Sequence, residues 1–146
     1  GGIDGMIIGQ AIDCYFENQK LELNQLEFLH IHKTAKLIAA SLKMGAIICE
    51  YDLQTQEKLF NFGINLGLLF QIQDDIIDET CTSVQAGKTT HNDSSKNSFV
   101  NLLGLDGSIK SADDLALKCL ETLNTFDSNL KESLEQLLLE YINRHK

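Results

Sequence analysis

The stretch from Leu53 to about Asp78 constrains this chain more than any other, because it reads as one long helix with apolar side chains on nearly every side between Phe60 and Phe70. A surface helix carries a single apolar stripe, whereas one that is apolar all round has to be enclosed by other elements. The remainder of the chain supplies helices and almost no strand-like alternation, so the fold class is all-α, a helical bundle around this rod. At 146 residues and 43% hydrophobic content the chain has the make-up of one globular unit with a substantial core.

The enclosing helices can be placed in outline. Ile3 to Glu17 is apolar and helix-like, with Gly5 and Gly9 one turn apart, where small residues let a neighbour approach closely. Asn24-Gln25-Leu26-Glu27 has the form of a capping box opening a helix that runs to about Cys49. Thr80 to Asn97 is polar and reads as one long loop, of a length that in compact helical domains usually serves function. After a short apolar segment from Phe99, a turn is expected at Gly104 to Gly107. Ser111 then caps a helix to about Phe126, and Ser128 to Tyr141 forms the last.

Composition excludes several classes of function. A net charge of −9 argues against general nucleic-acid binding and against docking on an anionic membrane surface. No apolar run is long enough to span a bilayer and no secretory leader is visible, so the expectation is a cytoplasmic protein without stable membrane insertion. The four cysteines, Cys14, Cys49, Cys81 and Cys119, form no Cys-x-x-Cys pair, which speaks against a zinc cage. Cys14 and Cys119 read as small buried hydrophobes within helical patterns. His30 and His32, two apart on a helix, point in different directions and do not make a metal-ligating pair.

Chemistry concentrates in Gln71-Ile72-Gln73-Asp74-Asp75-Ile76-Ile77-Asp78-Glu79. Gln71, Asp74 and Asp78 share one helical stripe, while Ile76 and Ile77 lie on other faces and can pack. Carboxylates at the end of a helix oppose its dipole by roughly 0.3–1 kcal/mol each and repel one another. A hard divalent cation reverses that sign. Mg²⁺ takes one or two protein carboxylates, keeps several waters and completes its shell with phosphate oxygens, so the stripe suits a diphosphate site. Taken alone, such a cluster is more often a solvated acidic face.

Other motifs stand in register with it. Phe70-Gln71-x-x-Asp74-Asp75-x-x-Asp78 is followed by Gly87-Lys88, Asp93 and Lys96, and preceded by His30-x-x-Lys33-Thr34 and Gly9-Gln10-x-x-Asp13. In this order and approximate spacing they resemble the trans-isoprenyl diphosphate synthases, or polyprenyl synthetases, most closely the bacterial farnesyl diphosphate synthase (geranyltranstransferase) branch. The resemblance covers residues 1–146 as the C-terminal half of the isoprenoid synthase helical bundle, with residues 80–97 as its active-site loop.

That resemblance implies an enzyme that condenses isopentenyl diphosphate with an allylic diphosphate, dimethylallyl or geranyl, to give farnesyl diphosphate, with Mg²⁺ as cofactor and a homodimer in the intact enzyme. It assigns Asp74, Asp75, Asp78 and Asp93 to the metal, with Asp74 the principal ligand. Lys33, Lys88 and Lys96 fall to the diphosphate, and Thr34 and Gln71 stand beside the carbocation. Gln10 and Asp13 would support from behind. A geranylgeranyl or longer-chain synthase, or a non-catalytic prenyl-synthase-like subunit, is the alternative.

Three departures stand against the family pattern. The loop from Asp93 to Lys96 is about two residues short, which puts the reach of Lys96 in question. Val100 stands near the place of the usual proline. The first aspartate-rich motif and the arginines that bind isopentenyl diphosphate are missing, as expected of a fragment unable to catalyse condensation by itself and left with bare apolar surface on the helices containing Leu37 to Ile48 and Phe60 to Phe70.

Overall fold

The computed structural model describes residues 2–17, 19–86 and 97–142, and no strand occurs among them. A π-helical turn, Ile3–Ile7, leads into α1 (Ile8–Tyr15). α2 (Leu23–His30) passes through a second π-helical turn, Ile31–Ala35, into α3 (Lys36–Ile48). α4 (Leu53–Ala86) is followed by α5 (Phe99–Leu123) and α6 (Ser128–Ile142).

Side-chain caps explain most of the boundaries. Gln25 Oε1 accepts the Glu22 amide at 2.8 Å, so α2 opens two residues before the expected Asn24. Asp52 accepts from the Thr55 amide at 2.8 Å and starts α4, and Ser98 accepts from Asn101 at the head of α5. Asp127 takes the amides of Asn129 and Leu130, both at 3.1 Å, and starts α6. Between α3 and α4 the chain reverses through Glu50, at φ 57°. The Tyr51 amide reaches back to Ala46 and the Glu50 amide to Ile47, the paired bonds of a Schellman ending.

Three expectations change here. α4 does not stop at Asp78 but continues to Ala86, because Thr80 to Ala86 contain no Gly or Pro to break it and Thr80 satisfies its hydroxyl on the Ile76 carbonyl at 2.8 Å. The acidic cluster therefore lies within a helix, and the first part of the expected 80–97 loop is helical. The turn at Gly104 is a kink inside a single helix: Gly104 has φ 73°, and Ser108 donates to its carbonyl at 2.9 Å, so Ser111 has no cap to make. Cys14 is exposed, whereas Cys119 is buried as expected.

α4 is the central rod. Phe62, Leu66, Leu69, Ile72 and Ile76 are each at most 2% exposed, and they meet Leu26 and Leu29 of α2, Phe99, Cys119 and Leu123 of α5 and Leu138 of α6 in one core. The apolar stretch expected to be bare from Phe60 to Phe70 is thus largely covered. On α3 the expectation holds, since Leu37, Met44, Ile47 and Ile48 remain exposed.

Close approach on the other side of α4 is made by glycine. A Cβ on Gly67 would sit 2.5 Å from the Ala35 Cα, and one on Gly63 would sit 2.5 Å from the Ala39 Cα. A Cβ on Gly9 would fall 2.3 Å from the Lys33 backbone nitrogen, so α1 and α4 both press on the π-turn through glycines. Gly5 meets nothing within 4 Å and plays no such part.

Candidate active site

The π-turn at Ile31–Ala35 carries Lys33 and Thr34, and α4 carries Gln71, Asp74 and Asp78 on one stripe. Single π-turns within α-helices are rare and recur at functional sites. The two elements are in direct contact through Gly67 and Ala35, one turn before Gln71. Thr34 Oγ1 donates to Gln71 Oε1 at 3.3 Å, which joins the two polar side chains expected to share a site. That bond uses the only hydrogen of Thr34, so its lone pairs and the remaining one on Gln71 are acceptors.

Lys33 pairs with Asp13 on α1, Nζ to Oδ2 2.5 Å, with side chains 36% and 39% exposed. An ion pair that open to water contributes little to stability, about 0–1 kcal/mol, so Lys33 can exchange Asp13 for an anionic ligand at small cost. Asp13 thus has a definite role in holding Lys33, while Gln10 donates to Cys14 Sγ at 3.4 Å. Lys36 donates to the Asp4 carbonyl at 2.5 Å and to His32 Nε2 at 2.8 Å. His32 Nδ1 must then carry the ring hydrogen and donate to the Phe28 carbonyl, 2.8 Å away. His30 faces elsewhere, buried and stacked on Phe99 with ring centroids 5.4 Å apart, so the two histidines diverge as expected.

The acidic residues divide by face. Asp74 is half-buried and Asp78 exposed, on the stripe of Gln71. Asp75 is only 7% exposed and turns toward α5, where Oδ2 accepts the Phe99 amide at 2.8 Å. Asn97, which sequence reasoning passed over, holds the other side of that helix start. Its Nδ2 donates to the carbonyls of Phe16, at 3.1 Å, and Gln19, at 2.8 Å, and its Oδ1 accepts the Leu21 amide at 3.0 Å. No periodicity marks such a residue; an amide beside a helix cap was the one available signal. Lys88, Asp93 and Lys96 lie outside the described residues.

No group of three His, Cys, Asp or Glu side chains among the described residues is placed to enclose a metal. The donor set is oxygen only, two carboxylates on one stripe open to one side. It fits Mg²⁺, which needs few protein ligands, and does not fit zinc. A separate cleft of about 300 Å³, lined by Ile12, Phe16, Leu21, Asn24, Gln25 and Phe28, includes none of the expected site residues.

Comparison with known proteins decides the family. The polyprenyl synthetase family model matches residues 2–138. This chain belongs to the polyprenyl synthetase family. It is 36% identical over 147 residues to farnesyl diphosphate synthase of Micrococcus luteus, covering 99% of this chain and 50% of that protein. Against the chloroplastic geranylgeranyl pyrophosphate synthase of Catharanthus roseus it is 40% identical over 129 residues, covering 86% of this chain and 36% of the relative. A crystal structure of geranyltransferase from Helicobacter pylori, complexed with magnesium and isoprenyl diphosphate, superimposes with a TM-score of 0.81 at 49% identity, covering 97% of this chain and 48% of that one. The chain thus spans about half the length, or less, of the relatives it matches, and those relatives include both farnesyl and geranylgeranyl synthases. The helical fold is that of the polyprenyl synthetases.

Proposed function

We propose that this chain forms the diphosphate-ionising half of a prenyltransferase that condenses isopentenyl diphosphate with dimethylallyl or geranyl diphosphate to give farnesyl diphosphate. The Thr34 to Gln71 hydrogen bond carries the reading, because it brings the lysine-bearing π-turn and the acidic stripe of α4 to one place. Asp74 is the principal ligand of Mg²⁺, with Asp78 beside it and Asp93 completing the set. Mg²⁺ held there supplies positive charge where diphosphate departs.

The chain's own residues do the rest. Lys33, joined by Lys88 and Lys96, binds the diphosphate and stabilises the charge that grows on it as the carbon–oxygen bond breaks. Thr34 and Gln71 turn neutral acceptors toward the positive carbon, which stabilises it without offering a competing nucleophile of full charge. The alkene of isopentenyl diphosphate then attacks that carbon and a proton is lost, with the released diphosphate as its acceptor. The intact enzyme is a cytoplasmic homodimer, and these 146 residues alone do not complete the reaction, since they contain one Asp-Asp-x-x-Asp motif and not two.

Mixed farnesyl and geranylgeranyl relatives favour one second reading, a synthase of longer product. The test is incorporation of radiolabelled isopentenyl diphosphate by a polypeptide that joins this chain to the family's upstream half, with product length read by chromatography. Farnesyl diphosphate is expected, and its formation should require Mg²⁺ and Asp74. A C20 product would replace the farnesyl assignment, and no product under any metal would remove the enzyme reading.

A further inference from the structure

We propose that Asp75, although it sits inside the acidic motif, is a positioning residue that fixes the start of α5 against α4 and does not ligate the metal. The inference rests on the assignment of Asp74 to Mg²⁺ and is tested so that the two can fail separately. Asp75 is one residue from Asp74 but about 100° around the helix, away from the stripe of Gln71, Asp74 and Asp78. Its side chain is 7% exposed, and its Oδ2 accepts the amide of Phe99, the first residue of α5, at 2.8 Å. The first amides of a helix have no partner within it, and the positive end of the helix dipole favours a carboxylate there. The negative charge of Asp75 is thereby matched by a fixed donor in the folded chain, before any cation arrives.

What Asp75 holds is joined to the rest of the site. Phe99 is 1% exposed and its ring stacks on His30, the residue before the π-turn that carries Lys33 and Thr34. Asn97, two residues earlier, ties the same helix start to the connection between α1 and α2 at Phe16, Gln19 and Leu21. The start of α5 is thus fixed to α4 by Asp75 and to the α1–α2 connection by Asn97, and Asp75 is the only one of these anchors that belongs to the helix of the metal stripe.

Two measurements on the 146-residue chain separate tether from ligand. Without metal, Asp75→Ala should lower the thermal midpoint by about 2–8 °C and expose the Phe99 amide to hydrogen exchange, while Asp74→Ala should leave the Phe99 amide protected. Asp75→Asn keeps a carbonyl oxygen for Phe99 and loses the charge. With Mn²⁺ and inorganic diphosphate as probes, it should retain Phe99 protection and bind Mn²⁺ within about twofold of the parent chain. A fall in Mn²⁺ affinity of about tenfold or more in Asp75→Asn, with Phe99 still protected, would make Asp75 a ligand and overturn the proposal. If Asp75→Ala does not fold, the Asp75→Asn comparison decides alone. Unchanged Mn²⁺ binding in Asp74→Ala would remove the metal assignment while leaving the tether standing.

Discussion

Neighbouring aspartates in one motif occupy different surroundings here, and helix geometry separates them. Asp74 lies half-buried on the stripe of Gln71 and Asp78, while Asp75 is turned into the α4–α5 contact. Removing the Asp75 carboxylate leaves the buried Phe99 amide unpaired, which costs about 1–3 kcal/mol. In a complete enzyme Asp74→Ala should therefore lower turnover at least about a hundredfold with the helical circular-dichroism signal intact, whereas Asp75→Ala should lose activity together with thermal stability. Steady-state rates and melting curves on the same preparations check this. A second prediction concerns the thiols. Burial pushes the Cys119 thiol up to about 12, while Cys14 and Cys49 are exposed. Iodoacetamide at about pH 8 should modify Cys14 and Cys49 in the folded chain and reach Cys119 only in denaturant, as peptide mass mapping would show. The stripe was legible because a period of 3.6 fixes which residues share a face. The exposure of Cys14 was not, since it depends on which neighbours α1 finds.

At the level of elements, the glycines of α4 and the ends of the helices are the points most open to test. Gly63 and Gly67 lie one turn apart and accept Ala39 and Ala35 in contact. A methyl group at Gly67 would meet Ala35 at 2.5 Å and displace the π-turn from α4, so Gly67→Ala should destabilise by about 1–3 kcal/mol, and in a complete enzyme it should also depress turnover. Urea unfolding and rate measurements on that variant provide the check. At the start of α4, the Asp52 carboxyl is held below its usual value of 3.8, chiefly by the hydrogen bond from the Thr55 amide. A group with a lowered folded pKa contributes its stability above the unfolded value and loses it as pH falls through the folded one. Melting temperature should therefore drop below about pH 4, and less steeply in Asp52→Asn, which caps without titrating. The helices themselves were readable from apolar periodicity, and three of the boundaries shifted or merged for local reasons: Gln25 caps Glu22, two residues before the expected Asn24, Thr80 lets α4 run on, and Gly104 bends α5 without ending it. The π-turn left no mark in the sequence, and neither did the packing of Gly9 and Gly67 against that one short segment.

Over the whole molecule, the enclosed rod expected from Leu53 onward is α4, surrounded by α2, α3, α5 and α6. Enclosure was legible from apolar content on every side. Its completeness was not, because glycine contacts bring α3 close enough to cover what composition alone leaves bare. The outward stripe of α3 at Leu37, Met44 and Ile48, 46%, 60% and 77% exposed, remains uncovered in these residues. No helix of the described residues is long and apolar enough to cross a membrane. The proposed site also belongs to this scale, since the π-turn bearing Lys33 and Thr34 and the carboxylates of α4 come from separate segments, with Asp13 of α1 holding Lys33.

Hydrogen exchange of the backbone amides with and without Mg²⁺ and inorganic diphosphate tests this arrangement most directly. Metal and diphosphate together should slow exchange in the π-turn around Lys33 and in α4 from Gln71 to Asp78. Neither alone should do so, and Asp74→Ala should abolish the effect. Unchanged exchange in both segments, or equal protection in Asp74→Ala, would contradict the assignment of this site to a Mg²⁺-bound diphosphate.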